Sequence, residues 1–391
     1  MPSNASSEPR ISPELRTSVF FSTLFMTAGV ASGFAGIWFA SKGFSAQQIG
    51  LFNALPVFVM LVLNLIIGRI ADRASDWRQV IIIGALASGL LSLGLLSVNG
   101  FWGILLFWSL TNIAQMGVVP VADAAAMRIT RRRGTDYGAI RAWATMGYTV
   151  VVLISGYVVL WYGIEAFLPL FVGFALVRSV VSLGLPKFRA QGEEQAIKTG
   201  ATHLKEVMKP WFLLTLLGYS VVFATHLILN AFQALLFKQQ GISSEVIGIL
   251  IMVGALSEAA MFFGFKRFAT RFTARHLILI SATVSVFRWI AMTFSPDVEI
   301  LFALQLLHSV TFALGFMGVM NFIANWTSED IAAEAQGFFA ILQQGTGVIA
   351  LLAFGGLAGV WGAKAYFASA GMAAFGGLLV LISLRLQQSK E

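Results

Sequence analysis

GFSAQQIG, Gly43 to Gly50, returns 198 positions later as GISSEVIG, Gly241 to Gly248, with Gly, Ser, Ile and Gly in register. Each copy lies between two long apolar runs and opens the second of them, so both connections lead into a helix in the same sense. A segment repeated in one orientation at a fixed spacing marks a parallel internal duplication. The longest polar interruption, PKFRAQGEEQAIKTGATHLKEVMKP from Pro186 to Pro210, falls between the copies at the middle of the chain.

Working outward from the copies, the 391 residues are 58% hydrophobic and only 11% charged, with 34 Phe, a composition foreign to soluble globular proteins. Runs of about 20 apolar residues, enough to cross a ~30 Å hydrocarbon core as a helix, recur along the chain. They predict twelve spans, over 17–40, 48–70, 79–98, 102–126, 138–160, 165–184, 211–237, 245–264, 276–294, 299–325, 334–356 and 366–384. The expected fold is all-α and integral to the membrane, with twelve transmembrane helices in two six-helix bundles. The bundles are 17–184 and 211–384, joined by a linker over 185–210 and flanked by tails at 1–16 and 385–391. The first 16 residues lack the apolar core and cleavage pattern of a removable signal, so the first helix is expected to direct insertion.

The net charge of +8 is distributed by side. With the N-terminus inside, 21 of the 26 Lys and Arg fall in or beside cytoplasmic segments, and this asymmetry sets both termini in the cytoplasm. It speaks for a lipid bilayer as the partner of these charges and against nucleic acid. Cysteine is absent, which excludes disulfides, thiolate metal sites and thiol nucleophiles. No phosphate loop, nucleophile elbow or zinc-spaced histidine pair occurs, so neither ATP-driven pumping, nor an enzyme, nor a cofactor or metal is expected. A receptor or scaffold would need an appended domain, which tails as short as 1–16 and 385–391 are not expected to supply. What remains is a carrier that draws on gradients.

Ionisable groups inside a membrane are expensive, and they face cavities or one another. Glu258 sits about 20 Å into its helix, near the middle of the bilayer, and is a candidate proton carrier; the alternative is a permanent ion pair, for instance with Arg288. Arg288 lies at a similar depth, and Arg288 or Arg178 could pair with the carboxylate of an anionic substrate. His226 and His308 can both bind and titrate. Asn230, Gln343 and Gln344 add hydrogen-bonding groups on the C-terminal side, and Asn53, Asn64, Asn112 and Gln115 do so on the N-terminal side. Each could line a substrate path or only join helices. In DYGAIRAWATMGY, Asp136 to Tyr148, Arg141 follows Tyr137 by four residues at the cytoplasmic start of a helix. Asp123 lies at similar depth on the preceding helix, so Arg141 is either a positive-inside anchor or the partner of Asp123 at an inner gate.

GRIADRASDWRQ, Gly68 to Gln79, resembles the signature of the major facilitator superfamily in the loop after its second helix, with Gly68, Asp72 and Arg73 matching. Three stretches, the one around Arg141, Ala224 to Phe263, and Leu304 to Ala324, are similar to the phenylpropionate permease group of that superfamily and to its lactose-permease and nucleoside-symporter relatives. The matching residues include Tyr137, Gly138, Arg141, Trp143, His226, Glu258 and His308. The resemblance implies two bundles related by an axis along the membrane normal and a substrate site near midplane. It also implies a latch at Gly68, Asp72 and Arg73 and a gate at Tyr137, Arg141 and Asp123. The expected function is proton-coupled symport, by a monomer of the inner membrane, of a small organic solute such as an aromatic or other carboxylic acid. Symport of a nucleoside or sugar, and export, are the alternatives.

Overall fold

The computed structural model describes residues 12–189, 209–327 and 329–387, and among these all regular structure is helical. The parts of the expected tails and linker at 1–11, 190–208 and 388–391 lie outside the described residues. The helices are α1 (Pro13–Ser41), α2 (Ala46–Arg73), α3 (Trp77–Leu93), α4 (Phe101–Arg133), α5 (Tyr137–Tyr162), α6 (Phe167–Leu183), α7 (Pro210–Gln239), α8 (Ser244–Ala269), α9 (Ala274–Thr293), α10 (Val298–Leu306), α11 (Gly315–Trp326), α12 (Glu329–Trp361) and α13 (Tyr366–Leu386). Among the described residues eleven stretches are long and apolar enough to cross a membrane, and the last, Ala335–Leu386, contains most of α12 and all of α13 around the 3-10 turn Gly362–Ala365.

The span expected over 299–325 is not one regular helix. A π-helical turn, Ser309–Leu314, separates α10 from α11. The carbonyls in that turn find partners on neighbouring helices: Ser281 Oγ donates to the Thr311 carbonyl (2.7 Å) and Tyr219 Oη to that of Phe312 (3.0 Å). Such outside donors stabilise a local departure from the α-helical ladder. Elsewhere helices outrun their apolar spans: α4 continues through Arg131, Arg132 and Arg133 until Gly134, with φ +67°, stops it.

The chain packs as two compact units. The first, Met1–Val30, Leu63–Val151 and Leu168–Ile197, is built on Phe20, Phe21 and Leu24 of α1 against Ile81, Ala122, Ala125 and Ile129 of α3 and α4. The second, Ala31–Val62, Val152–Phe167 and Lys198–Glu391, has a core of Phe212, Leu216 and Tyr219 against Ile278, Phe322 and Val380. These packing units differ from the sequence halves 17–184 and 211–384 because the ends of α1, α2 and α5 pack with α7, α8 and α12. A Cβ on Gly50, the last residue of the first copy, would meet the Leu351 carbonyl oxygen at 2.6 Å; on Gly248, the last of the second, it would meet that of Val152 at 2.9 Å. Gly355 faces Gly50 and Gly156 faces Gly248, so the duplicated glycines mark two close helix crossings of the kind small residues permit in membranes.

Candidate functional site

In the second unit, α7, α8, α9 and the α10–α11 segment converge on one polar network. Arg288 is fully buried and donates through Nη1 to Thr311 Oγ1 (2.9 Å) and His308 Nδ1 (3.2 Å), and through Nη2 to Gln305 Oε1 (2.9 Å). Its guanidinium lies 4.9 Å from the Trp289 ring centroid, and its Nε has no hydrogen-bond partner among the described residues. A guanidinium can only donate, so the His308 nitrogen facing it is bare and the proton sits on Nε2. That nitrogen stands 3.5 Å from Glu258 Oε2. His308 therefore separates Arg288 from Glu258 where a direct pair was one expectation, because the π turn and the neighbouring end of α10 carry the imidazole to that place.

The network continues through a second imidazole. Thr311 Oγ1 lies 3.0 Å from His226 Nε2, and His226 Nδ1 lies 3.2 Å from the Val222 carbonyl. The carbonyl can only accept, so Nδ1 carries the proton and Nε2 accepts from Thr311, whose oxygen accepts from Arg288. The rings of His226 and His308 are 5.4 Å apart, and His308 stacks on Phe312 at 5.3 Å and 6°. Side chains of Glu258 and His308 remain 29% and 12% accessible, whereas Arg288 and His226 are closed off, so the first pair is the face of the network that a ligand can reach.

In the first unit, Tyr137 Oη donates to Asp123 Oδ1 at 2.7 Å, and Arg141 Nε stands 4.0 Å from the same oxygen with its guanidinium 4.5 Å from the Phe25 ring centroid. The expected acid and base are thus neighbours, and the tyrosine holds the short bond. Arg178 is fully buried and donates to Gln115 Oε1 (2.7 Å), Thr27 Oγ1 (3.0 Å) and Ser88 Oγ (2.7 Å). Ser88 in turn donates to the Thr111 carbonyl (2.9 Å), a contact echoed by Ser281 and Thr311 in the second unit. The Nη hydrogen bonds of Arg178 and Arg288 thus both go to neutral groups.

The remaining expected residues are dispersed. Asn53 and Asn112 each donate to a carbonyl one turn back, Ile49 and Trp108. Asn230 is exposed midway along α7, and Gln343 has a buried Nε2 without a hydrogen-bond partner among the described residues. Gly68 has open space beside it, Arg73 ends α2 exposed, and the Asp72 side chain lies outside the described residues. Asp76, next to that motif, caps α3 through Arg78 N (2.8 Å) and accepts from Phe188 N (3.0 Å) and Arg189 N (3.1 Å), tying the loop to the chain after α6. Thr27, Ser88, Gln233, Gln305, Thr311 and Trp289 were not expected. Gln233 follows His226 by seven residues and Gln305 precedes His308 by three, helical spacings that could have singled them out. Threonine and serine are too common in membrane helices to signal anything alone. Among the described residues no three His, Cys, Asp or Glu side chains gather as a metal site.

The model of the MFS_1 like family matches residues 15–369. The chain belongs to the MFS_1 like family. It is accordingly a multi-pass membrane transporter of the major facilitator kind, not an enzyme, and bacterial relatives are consistent with an inner-membrane location. Among curated relatives of this MFS_1 like protein, it is 26% identical over 347 residues, 85% of this chain and 88% of the other, to the "Probable 3-phenylpropionic acid transporter" of Escherichia coli (strain K12). It is 22% identical over 372 residues, 94% and 93% of the two chains, to the maltose permease of Geobacillus stearothermophilus. A variant of the nucleoside transporter NupG has a similar solved structure, with TM-score 0.82 and 17% identity over 95% of this chain and 100% of that one. A bacterial homologue of the human lysosomal transporter Spinster, crystallised inward-facing and unoccupied, gives TM-score 0.75 at 16% identity over 97% and 98%.

Proposed function

We propose that this transporter is a proton-coupled symporter of a small organic carboxylic acid, aromatic acids included, working by alternating access as a monomer. The observation that carries the reading is His308 between Arg288 and Glu258, offering one Nε2–H on its accessible side. One donor can serve one carboxylate. With Glu258 ionised, its own oxygen takes the donor; a proton on Glu258 releases it to a substrate carboxylate. Charge makes the same demand, because Arg288 is balanced by Glu258 or by the substrate, and both anions together would leave an excess negative charge in a low-dielectric site. Proton and substrate therefore bind together, one of each.

The other groups take supporting roles in this reading. Tyr137, Asp123 and Arg141 form an inner gate, with Gly68, Asp72 and Arg73 as the latch beside it. His226 extends the coupling network, while Asn53, Asn230 and Gln343 of the second unit, and Arg178, Gln115 and Asn112 of the first, are the further groups assigned to substrate binding. The topology is twelve helices in two six-helix bundles with cytoplasmic termini and no nucleic-acid partner. A relative named for maltose and a structural neighbour named for nucleosides favour a second reading, symport of a sugar or nucleoside, with export as the reverse mode.

Uptake of labelled 3-phenylpropionate, maltose and uridine into proteoliposomes tests both readings. An acidic exterior is expected to drive accumulation of the carboxylate alone. Uptake indifferent to the pH gradient would sink proton coupling, and uptake of maltose or uridine in place of the acid would select the second reading.

A further inference from the structure

Beside the coupling site, Gln305 and Gln233 form a pair that the mechanism above does not use. Both are 3% exposed. Gln305 Oε1 accepts from Arg288 Nη2 at 2.9 Å, and Gln305 Nε2 donates to Gln233 Oε1 at 3.0 Å. The amide cannot be turned over: its NH2 group would then face a guanidinium that has nothing to accept with, and its oxygen would face an oxygen. Gln233 thus fixes the amide of Gln305, and Gln305 fixes one arm of the guanidinium. Thr311 and His308 hold the other arm. A glutamate at 305 would match the shape and neutralise Arg288, whereas the amide holds the cation in place with its charge unspent.

We infer that Gln233 and Gln305 are positioning residues that act through Arg288 to hold His308 in its Nε2–H tautomer, with the proton toward Glu258. The chain runs from the Gln233 amide oxygen through the Gln305 amide and the Arg288 guanidinium to His308 Nδ1, and each link presents a donor to an acceptor. A free imidazole exchanges its proton between the two nitrogens readily. Here the clamped guanidinium forbids a proton on Nδ1, so the single donor on which the proposed coupling depends always points to the accessible side. The inference rests on the symport reading for its use, but the tautomer itself can be measured without any substrate.

The test is nitrogen NMR of the full chain, labelled at histidine, in lipid nanodiscs. Only four histidines are present, His203, His226, His276 and His308, so His→Gln variants assign the signals. In the unaltered protein His308 is expected with Nδ1 bare and Nε2 protonated. Gln305→Leu should raise the Nδ1–H fraction roughly tenfold, the effect of losing a hydrogen bond to a charged group, and Gln233→Leu should raise it about threefold, since the bond lost there joins two neutral amides. Gln233→Glu keeps the acceptor and should keep the original tautomer. A His308 that carries its proton on Nδ1 in the unaltered protein, or that ignores Gln305→Leu, overturns the inference, as does a loss of thermal stability in the Leu variants with the His308 signal unmoved. The same variants are assayed for 3-phenylpropionate uptake, where KM should rise about tenfold at constant Vmax. A moved tautomer with unmoved KM leaves the positioning role intact and refutes His308 as the substrate's donor.

Discussion

Asp123 accepts 2.7 Å from the Tyr137 hydroxyl, while Arg141 Nε stands 4.0 Å from the same oxygen and shares its guanidinium with the Phe25 ring. The tyrosine is therefore the stronger tie on the carboxylate, and the arginine contributes a partly solvated charge of modest worth. Tyr137→Phe is expected to cut initial transport rates roughly tenfold at unchanged expression, since a hydrogen bond to an ionised acceptor is lost. Arg141→Lys should lower them less, through loss of the flat guanidinium that covers Phe25. Rates in proteoliposomes matched for protein content check the order of the two effects, and a lysine variant worse than the phenylalanine one would return the main role to the arginine. The neighbourhood of these residues was legible in sequence, because a carboxylate and an arginine lay at matching depth on successive helices. The division of labour between tyrosine and arginine was not, since it depends on where each side chain reaches across α4 and α5.

At the scale of elements, the duplicated stretch proves to be more than a marker of ancestry. Its closing glycines, Gly50 and Gly248, sit where a Cβ would press on the carbonyl oxygens of Leu351 and Val152. A backbone oxygen cannot turn aside as a side chain can, so alanine at either position must push two helices apart. Gly50→Ala and Gly248→Ala are each expected to lower the melting temperature by a few degrees, and together to add, because the crossings share no partner. The chain has no cysteine, so Ala46→Cys is a clean reporter: its carbonyl lies against Gly355, and it should react faster with a water-soluble maleimide in the Gly50→Ala background. Unchanged melting and reactivity would show that the crossing tolerates a methyl group. The copies were visible in sequence, whereas their partners Gly355 and Gly156 were not, since no local pattern ties a glycine to one 305 or 92 residues distant. The π turn was equally hidden: Val298 to Trp326 has the mean hydropathy of a single span, 1.8, and hydropathy does not distinguish i→i+4 from i→i+5 hydrogen bonding.

Over the whole molecule, apolar run lengths revealed the membrane spans because crossing a bilayer is a demand on length, which sequence displays directly. Hydrogen-bond partners such as Thr27 and Ser88 around Arg178, or Gln305 beside Arg288, follow from packing and stayed out of view. What the packing adds is a charge balance that reaches the level of transport. In the proposed cycle Glu258 is ionised when the carrier is empty and neutral when a monocarboxylate is bound, so the loaded and empty states carry the same charge. Glu258→Gln fixes the neutral form and should abolish acceleration by an acidic exterior while preserving counterflow exchange of 3-phenylpropionate. The membrane potential gives the sharper measure. Moving one net charge against 100 mV is worth ~2.3 kcal/mol, roughly fiftyfold in accumulation. Transport of one proton with one monocarboxylate moves no net charge, so a potassium diffusion potential of either sign should change accumulation less than about twofold, an effect far below that of a single charge. A dependence approaching fiftyfold would mean that a second proton travels, or none, and that Glu258 and the substrate do not exchange one donor between them.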